Sequence, residues 1–218
     1  MKKTIVLLSG GLDSATTLYI AKSKGYEISC LVFDYGQKHR REIEAAKKIA
    51  RLAKCPFEVI TIDFPWKGSS LLDRLMPIPE GKKSPEGIPS TYVPARNTVF
   101  LSFALSYAEA TGASVIFIGA NALDYSGYPD CRPKFYHAFN KLSKVATKCG
   151  IENRPIKVET PLIGLKKSEI IALGIKLGVP YKETWSCYEG AKTPCGRCDS
   201  CILREKGFAE AGVKDPAL

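Results

Sequence analysis

A glycine-rich loop near the N-terminus restricts the possible folds of this chain more than any other feature. Ser9-Gly10-Gly11-Leu12-Asp13-Ser14 follows the apolar run Thr4–Leu8 and opens a segment of helical periodicity, Asp13–Ser23. At a helix N-terminus the free backbone N–H groups point outward, and the helix dipole favours an anion. Two glycines let a phosphate approach the backbone closely. The alternative is a plain glycine turn with Asp13 or Ser14 as the helix cap.

The loop differs from the two commonest phosphate-binding motifs. It lacks the lysine of the Walker A sequence G-x-x-x-x-G-K-[ST], and it does not have the G-x-G-x-x-G spacing of dinucleotide-binding loops. We expect Ser9 and Ser14 to add hydroxyl donors to a bound phosphate. Asp13 is expected either to hold Mg²⁺ or to cap the helix.

Short apolar runs alternate with helical segments along most of the chain, which is typical of a parallel α/β sheet. The predicted strands are Thr4–Leu8, Ile28–Phe33, Phe57–Ile62, Ser114–Ile118 and Ile156–Glu159. The predicted helices are Asp13–Ser23, Lys38–Lys54, Ala95–Ala110, Arg132–Cys149 and Lys167–Leu177. Between Phe64 and Pro94 the periodicity fails and prolines are frequent, so we predict an irregular insertion there.

The cysteines indicate a metal site and not a disulfide framework, because four of the eight fall in one short segment. Four thiolates complete a tetrahedral structural Zn²⁺ site and leave no open position for catalysis. The same spacing also allows an iron–sulfur cluster or thiols without a metal. Zinc is the preferred interpretation, with the role of holding down the C-terminal segment. The predicted ligands are Cys187, Cys195, Cys198 and Cys201.

The net charge of +10 suits anionic partners such as nucleotides and carboxylates. The basic residues are dispersed, with a dense run only at Lys38-His39-Arg40-Arg41, so we do not expect a nucleic-acid partner. No apolar run approaches the ~20 residues that span a bilayer. Ser9-Gly10-Gly11 interrupts the N-terminal apolar stretch before a signal-peptide core can form. We therefore predict a cytoplasmic protein without a membrane partner.

The loop resembles the PP-loop of the N-type ATP pyrophosphatases, which cleave ATP between its α and β phosphates and adenylate a substrate oxygen. Together with the cysteine tail, the chain resembles the 7-cyano-7-deazaguanine synthase family of the queuosine-precursor pathway. The other stretches that carry this resemblance are Phe33–His39, Tyr92–Thr98, Asp124–Arg132, Thr160–Leu162 and Lys166–Ile170.

The family resemblance implies a Rossmann-like parallel sheet of the adenine-nucleotide α-hydrolase type. It implies a PP-loop domain over residues 1–180, with the insertion at about 64–94, and a zinc-binding tail over residues 181–218. It also implies a homodimer.

The implied reaction joins 7-carboxy-7-deazaguanine and ammonia, with Mg²⁺ and ATP, to give the 7-nitrile. Adenylation makes the carboxylate an anhydride that ammonia attacks to form an amide. A second ATP activates the amide oxygen, and loss of AMP leaves the nitrile. Such chemistry depends on positioning and charge neutralisation more than on a nucleophilic side chain.

Three residues are predicted to be catalytic: Asp13, Arg96 and Lys166. Arg96 opens a helix, where its guanidinium could bind a phosphate or carboxylate bidentately. The alternative for it is a surface salt bridge. Lys166 or its neighbour Lys167 could neutralise pyrophosphate, and the alternative is a solvated lysine. The predicted ATP-binding residues are Leu8, Ser9, Gly10, Gly11, Leu12, Asp13 and Ser14.

The predicted substrate residues follow the fourth strand, at the carboxyl edge of the sheet where open α/β folds bind ligands. A carboxylate there could accept from the guanine-like N–H edge, and a tyrosine could stack on the heterocycle. The alternative is ordinary turn chemistry. Gln37 and His39, after the second strand, are expected near the nucleotide. The predicted substrate residues are Asp124, Tyr125, Tyr128 and Asp130.

Two other functions fit parts of the sequence. One is a PP-loop enzyme that adenylates a base of tRNA, although no segment resembles a separate RNA-binding domain. The other is a zinc-stabilised nucleotide-binding module without chemistry.

Overall fold

The computed structural model describes residues 1–81, 87–123 and 127–217. Its centre is a five-stranded sheet in the order β3–β2–β1–β4–β5, and every pairing is parallel. The strands are β1 (Lys3–Leu7), β2 (Glu27–Asp34), β3 (Phe57–Thr61), β4 (Val115–Ile118) and β5 (Lys157–Glu159). The predicted α/β class with a parallel sheet is confirmed.

The seven α-helices of the described residues are α1 (Leu12–Ser23), α2 (Arg41–Ala53), α3 (Arg96–Thr111), α4 (Pro133–Ala146), α5 (Lys148–Ile151), α6 (Lys167–Lys176) and α7 (Asp199–Glu210). None of them combines the length and apolar character needed to cross a lipid bilayer.

Apart from helix ends that shift by one residue, the helices differ from the prediction in three places. The segment Arg132–Cys149 is two helices, because Thr147 leaves the helical conformation and its hydroxyl accepts from the N–H of Gly150 at 2.9 Å. Helix α2 begins three residues later than predicted, since the N–H of Lys38 donates to the carbonyl of Leu71 in the insertion. Helix α7 was not predicted. Apart from Phe208, its buried face contains serine, cysteine, arginine and glycine, so it lacks an apolar stripe of helical period.

Both faces of the sheet are covered, as β1 illustrates. Ile5 and Leu7 point to a core shared with α3 and α4, whereas Val6 and Leu8 belong to a core shared with α1, α2, α6 and α7. Successive residues of a strand face opposite sides, so a strand buried on both sides is apolar throughout. This is why the residues from Ile5 to Leu8 form a continuous apolar run.

The strand order reverses between β1 and β4, which is where doubly wound sheets form a ligand crevice beyond the carboxyl ends of the strands. The turns after these two strands lie against each other. A Cβ added to Gly119, directly after β4, would lie 2.9 Å from backbone atoms of Asp13 and Ser14. This contact places the start of α1 beside the end of β4.

The insertion connects distant parts of the molecule. Its described parts, residues 64–81 and 87–94, contain no helix or strand, as predicted. The N–H of Gly81 donates to the carbonyl of Arg197 at 3.0 Å, and Glu80 forms an antiparallel bridge with Cys198. The insertion is thus attached to the cysteine-containing tail.

The packing of Gly10 generates a stability prediction. This residue has φ +86°, and a Cβ on it would lie 2.2 Å from the carbonyl oxygen of Glu42. We expect Gly10→Ala to lower the free energy of unfolding by more than about 3 kcal/mol, since left-handed strain of about 1–2 kcal/mol adds to a backbone overlap. The measurement is urea unfolding followed by circular dichroism.

Gly25→Ala is the matched control. Gly25 also has a positive φ, +73°, but nothing lies within 4 Å of its Cβ position. Only the backbone strain of about 1–2 kcal/mol should then be lost. Equal losses in the two variants would contradict the steric argument.

Candidate active site

A cavity of about 230 Å³ opens at the carboxyl ends of β1 and β4. Separate parts of the chain form its wall: the glycine-rich loop, the segment after β2, the starts of α2, α3 and α6, the turn after β4, and the tail. The lining residues that carry polar chemistry include Ser9, Asp13, Ser14, Tyr35, Gln37, Lys38, His39, Glu42, Arg96, Asn121, Tyr128, Cys131, Lys167 and Arg204. Gln37 and His39 line the same cavity as the glycine-rich loop.

The glycine-rich loop is ordered by its own hydroxyl groups. The hydroxyl of Ser14 accepts from the N–H of Ser9 at 3.2 Å, lies 3.0 Å from the Ser9 hydroxyl oxygen, and donates to the carbonyl of Gly11 at 3.1 Å. Gly11 occupies the N-cap, and no described side chain caps α1. A turn with a side-chain cap is therefore not what forms, and the first residues of α1, Leu12, Asp13 and Ser14, line the cavity.

Gly10 is fixed behind the cavity wall from two sides. Its φ of +86° and its contact with the α2 backbone leave no room for a side chain. On the other side, the N–H of Trp185 donates to the Gly10 carbonyl at 2.9 Å. The loop is thus held by α2 and by the tail, and the neighbouring residues Leu8, Ser9, Gly11, Leu12, Asp13 and Ser14 line the cavity.

Asp13 forms an ion pair with Lys167, not with Lys166. The Lys167 Nζ lies 2.8 Å from both carboxylate oxygens of Asp13, and the two side chains are only 10% and 17% exposed. Lys166 is exposed outside the cavity, and its backbone N–H donates to the Glu169 carboxylate at 2.7 Å. Of the two lysines at this helix start, the structure brings Lys167 into the site.

Arg96, the first residue of α3, reaches the cavity beside two aromatic rings. Its Nη1 donates to the Tyr35 hydroxyl at 3.1 Å, and its guanidinium lies 5.5 Å from the Tyr35 ring and 5.9 Å from the Phe100 ring. Within the described ranges it makes no ion pair with a carboxylate, so the surface salt bridge does not form. The preceding Ala95 has φ +52°, a strained conformation for alanine that sets the direction in which α3 begins.

The four predicted substrate residues have different positions. Tyr128 lines the cavity, and its hydroxyl lies 2.6 Å from that of Thr91. Asp130 is buried behind the wall, where its carboxylate accepts from the N–H of Asn97 at 3.0 Å in the first turn of α3. Its contacts are those of a residue that positions α3 and thereby Arg96. Asp124 and Tyr125 lie outside the described residues.

The tail forms one wall of the cavity. Trp185, Ser186, Tyr188, Ser200, Leu203 and Arg204 all line it. The Arg204 guanidinium donates to both carboxylate oxygens of Asp215, at 2.5 and 2.8 Å, and to the Thr184 hydroxyl at 2.7 Å. Both partners of this ion pair are buried, at 9% and 4% exposure. The C-terminal residues therefore fix the position of a cavity side chain.

The four tail cysteines converge, with all their Sγ atoms within 4.8 Å of one another. Zn–S bonds of about 2.3 Å in a tetrahedron place the sulfurs about 3.8 Å apart, and the Cys195 and Cys201 Sγ atoms are 4.0 Å apart. The backbone N–H groups of Cys195 and Glu189 point to the Cys187 sulfur at 3.3 and 3.4 Å. The donor set and its geometry fit a closed tetrahedral metal site.

A sequence profile of the family described as "Queuosine biosynthesis protein QueC" matches residues 3–212. The chain belongs to this family. A protein of Anaeromyxobacter dehalogenans (strain 2CP-C) named 7-cyano-7-deazaguanine synthase is 52% identical over 99% of this chain and 94% of its own length. A protein of the same name from Saccharophagus degradans is 53% identical, over 99% of this chain and 96% of its own. The resemblance predicted from the motifs is confirmed.

Solved structures are more distant from this QueC-family chain. NMN synthetase from Francisella tularensis aligns with a TM-score of 0.47 at 15% sequence identity, covering 98% of this chain and 78% of that one.

The most informative residue of the QueC-family site that sequence reasoning missed is Glu42. It lies in the first turn of α2, where acidic residues are common because of the helix dipole, so its position in the sequence did not indicate a functional role. Desolvation in the cavity raises the pKa of its carboxyl to about 7, although the nearby Arg96 acts in the opposite direction. The aromatic wall was missed too. Phe33 and Phe100 stack at 4.1 Å, and core aromatics have the same sequence pattern.

Proposed function

We propose that this chain is a 7-cyano-7-deazaguanine synthase, an ATP-dependent ligase of queuosine biosynthesis. The proposed substrates are 7-carboxy-7-deazaguanine and ammonia, and the products are the 7-nitrile, AMP and pyrophosphate. The observation that carries the proposal is identity of 52 and 53% to proteins of that name over nearly the full length of each. The cavity supports it, because the glycine-rich loop, Arg96 and Lys167 line one space.

The proposed ATP site is the loop from Leu8 to Ser14. The N-terminus of α1 and the serine hydroxyls would bind the phosphates, as anions bind at helix N-termini. Lys167 takes the place of the predicted Lys166 as the cation for pyrophosphate. Asp13 would hold Mg²⁺, which adds positive charge against the departing pyrophosphate.

The proposed binding site for 7-carboxy-7-deazaguanine lies beside the position proposed for the α-phosphate of ATP. Arg96 would bind the substrate carboxylate with its planar guanidinium and hold one oxygen for adenylation. The adjacent rings of Phe33, Phe100 and Tyr128 offer flat surfaces for the heterocycle. The Arg96 guanidinium would then hold the amide for the second adenylation. Substrate roles for Asp124 and Tyr125 stay predictions, and Asp130 is proposed as a positioning residue.

We propose Zn²⁺ as the ion of the cysteine cluster. Four thiolates would close its coordination, so its chemistry there is structural. The residues it would hold in place include Trp185, which binds the loop at Gly10, and Arg204 in the cavity wall. The division into residues 1–180 and 181–218, the homodimer and the cytoplasmic location stay predictions.

The direct test incubates the purified protein with Mg-ATP, ammonium and 7-carboxy-7-deazaguanine, and follows heterocycle and nucleotide by mass spectrometry. We expect the nitrile, AMP and pyrophosphate to appear together. Unchanged acid and intact ATP, from folded protein that carries its metal, would overturn the proposed substrate. ATP cleavage with tRNA in place of the acid would then favour a tRNA-modifying enzyme.

Lys167→Met tests the choice between the two lysines, with Lys166→Met as its control. Loss of a cation that stabilises developing charge costs roughly 10²–10³-fold in turnover, so we expect pyrophosphate release to fall by about that factor for Lys167→Met. Lys166→Met changes an exposed side chain and should stay within about threefold of wild type. The measurement is steady-state pyrophosphate release at saturating ATP. The reverse ranking would restore Lys166 as the phosphate ligand.

Cys198→Ser tests the metal site against Cys149→Ser, a change of a cysteine in α5 far along the chain from the cluster. Loss of one thiolate should reduce bound zinc, measured by atomic absorption, from one equivalent to less than about a fifth. The melting temperature should fall by more than about 5 °C, because each kcal/mol is worth about 2–4 °C at this size. Cys149→Ser should keep both values. A Cys198→Ser protein with full zinc and normal melting would refute the site.

A further inference from the structure

Glu42 places a carboxylate in a cavity otherwise suited to anions. It is the second residue of α2, and its carbonyl oxygen lies at the Gly10 contact that fixes the loop. Its side chain lines the cavity. In the part of the chain that the structure describes, its carboxylate accepts no hydrogen bond and joins no salt bridge. A group in this position is available to a ligand.

The surroundings of Glu42 decide what kind of ligand that is. The other charged groups of the cavity wall are Asp13, Lys38, His39, Arg96, Lys167 and Arg204. Asp13 is paired with Lys167, so Glu42 is the acidic side chain of the wall without an ion pair. A phosphate or a carboxylate would be repelled by it. A cationic or N–H-donating ligand would be attracted.

The ionisation of Glu42 suits proton transfer. Desolvation raises its pKa to about 7, and the Arg96 guanidinium acts against this rise. Burial also raises the pKa of the facing Tyr35 hydroxyl, so that neighbour stays neutral near neutral pH. A general base is most effective when its pKa lies near the working pH.

Resting on the proposed function, we propose that Glu42 binds the ammonia substrate as ammonium and accepts its first proton. The carboxylate takes one proton from NH₄⁺, and the freed lone pair of nitrogen forms the C–N bond to the acyl carbon. The C–O bond to AMP breaks, and its electron pair leaves with AMP. A second proton passes from nitrogen to solvent, which leaves the neutral amide. Glu42 then loses its proton to solvent.

The position of Glu42 favours ammonium over the other donor in the reaction, the N–H edge of the heterocycle. The loop that holds the α-phosphate is packed against the backbone of Glu42 at Gly10. In an acyl adenylate the acyl carbon is one oxygen away from that phosphorus. The N–H edge of the deazaguanine lies on the six-membered ring, away from the 7-substituent. The nucleophile, and not that edge, must therefore approach the loop.

The kinetic test compares Glu42→Gln with Glu44→Gln. Glu44 lies in the same first turn but is 67% exposed, paired with Lys47 on the surface. We expect Glu42→Gln to raise the KM for ammonium at least tenfold at saturating ATP and acid, with the KM for the acid changed less than about threefold. In wild type, kcat at saturating ammonium should rise with pH through about 7 and then level off. This rise should disappear in Glu42→Gln.

Three results would separate the possibilities. A raised KM for the acid with an unchanged KM for ammonium would overturn the proposal and assign Glu42 to heterocycle recognition. Wild-type kinetics in Glu42→Gln would also overturn it. Failure of the wild type to form any nitrile, by contrast, would refute the proposed function itself, because that readout does not involve Glu42. Glu44→Gln should match wild type throughout.

Thermal melting gives a readout independent of activity and shows that the variant folds. The folded pKa of Glu42 is raised above the unfolded value, so its contribution to stability is present at low pH and lost as pH rises through about 7. Glutamine cannot ionise. The melting temperature of Glu42→Gln relative to wild type should therefore be higher at pH 8 than at pH 5. An equal difference at both pH values would show that the carboxylate is solvated, and would overturn its role as a tuned base.

Discussion

The close contact at Gly10 determines how the rest of the site is assembled. The glycine has no side chain, a left-handed φ of +86°, and the backbone of α2 directly against its Cβ position. Its carbonyl accepts from the N–H of Trp185, which is 175 positions further along the chain. One residue thus joins the end of β1, the start of α2 and the tail. These backbone contacts add to the hydrogen bonds of the Ser9 and Ser14 hydroxyls in holding the loop in shape.

The tail has more than the stabilising role expected from the cysteine spacing. A metal that only held down a C-terminal segment would leave the cavity complete without it. Here Trp185 and Arg204 belong to the cavity wall, and the tail backbone at Arg197 accepts from Gly81 of the insertion. The tail that carries the cysteine cluster therefore contacts the glycine-rich loop on one side and the insertion on the other. On the proposed function, a closed metal site in the tail would influence catalysis through these contacts without touching substrate.

The sequence predicted features whose signals are local. The strand β1, the loop and the four cysteines each form a short continuous pattern, and the structure contains all three. Features that depend on tertiary packing were not predictable. The choice between Lys166 and Lys167 depends on which side of α6 packs toward the glycine-rich loop, because one residue turns a side chain by about 100°. Asp130 resembles a ligand in sequence, but its carboxylate is used by the α3 backbone. Glu42 resembles an ordinary first-turn glutamate until α2 is placed against the loop.

The charge balance of the cavity connects these observations. A buried charge without a partner is costly, so a site for Mg-ATP needs partners for its charges both before and after the ligand binds. The Asp13–Lys167 pair meets this need, since the two charges neutralise each other at 2.8 Å. On the proposed function, each would change its partner when the ligand binds. Asp13 would pair with the metal ion in place of Lys167, and Lys167 would pair with a phosphate in place of Asp13. Glu42 meets the same need differently, because a pKa near 7 lets it carry a proton when no cation is beside it. The two acidic side chains thus avoid an unpaired charge by different means, Asp13 through an ion pair and Glu42 through protonation. Of these two means, only that of Glu42 leaves a group able to accept a proton from a substrate.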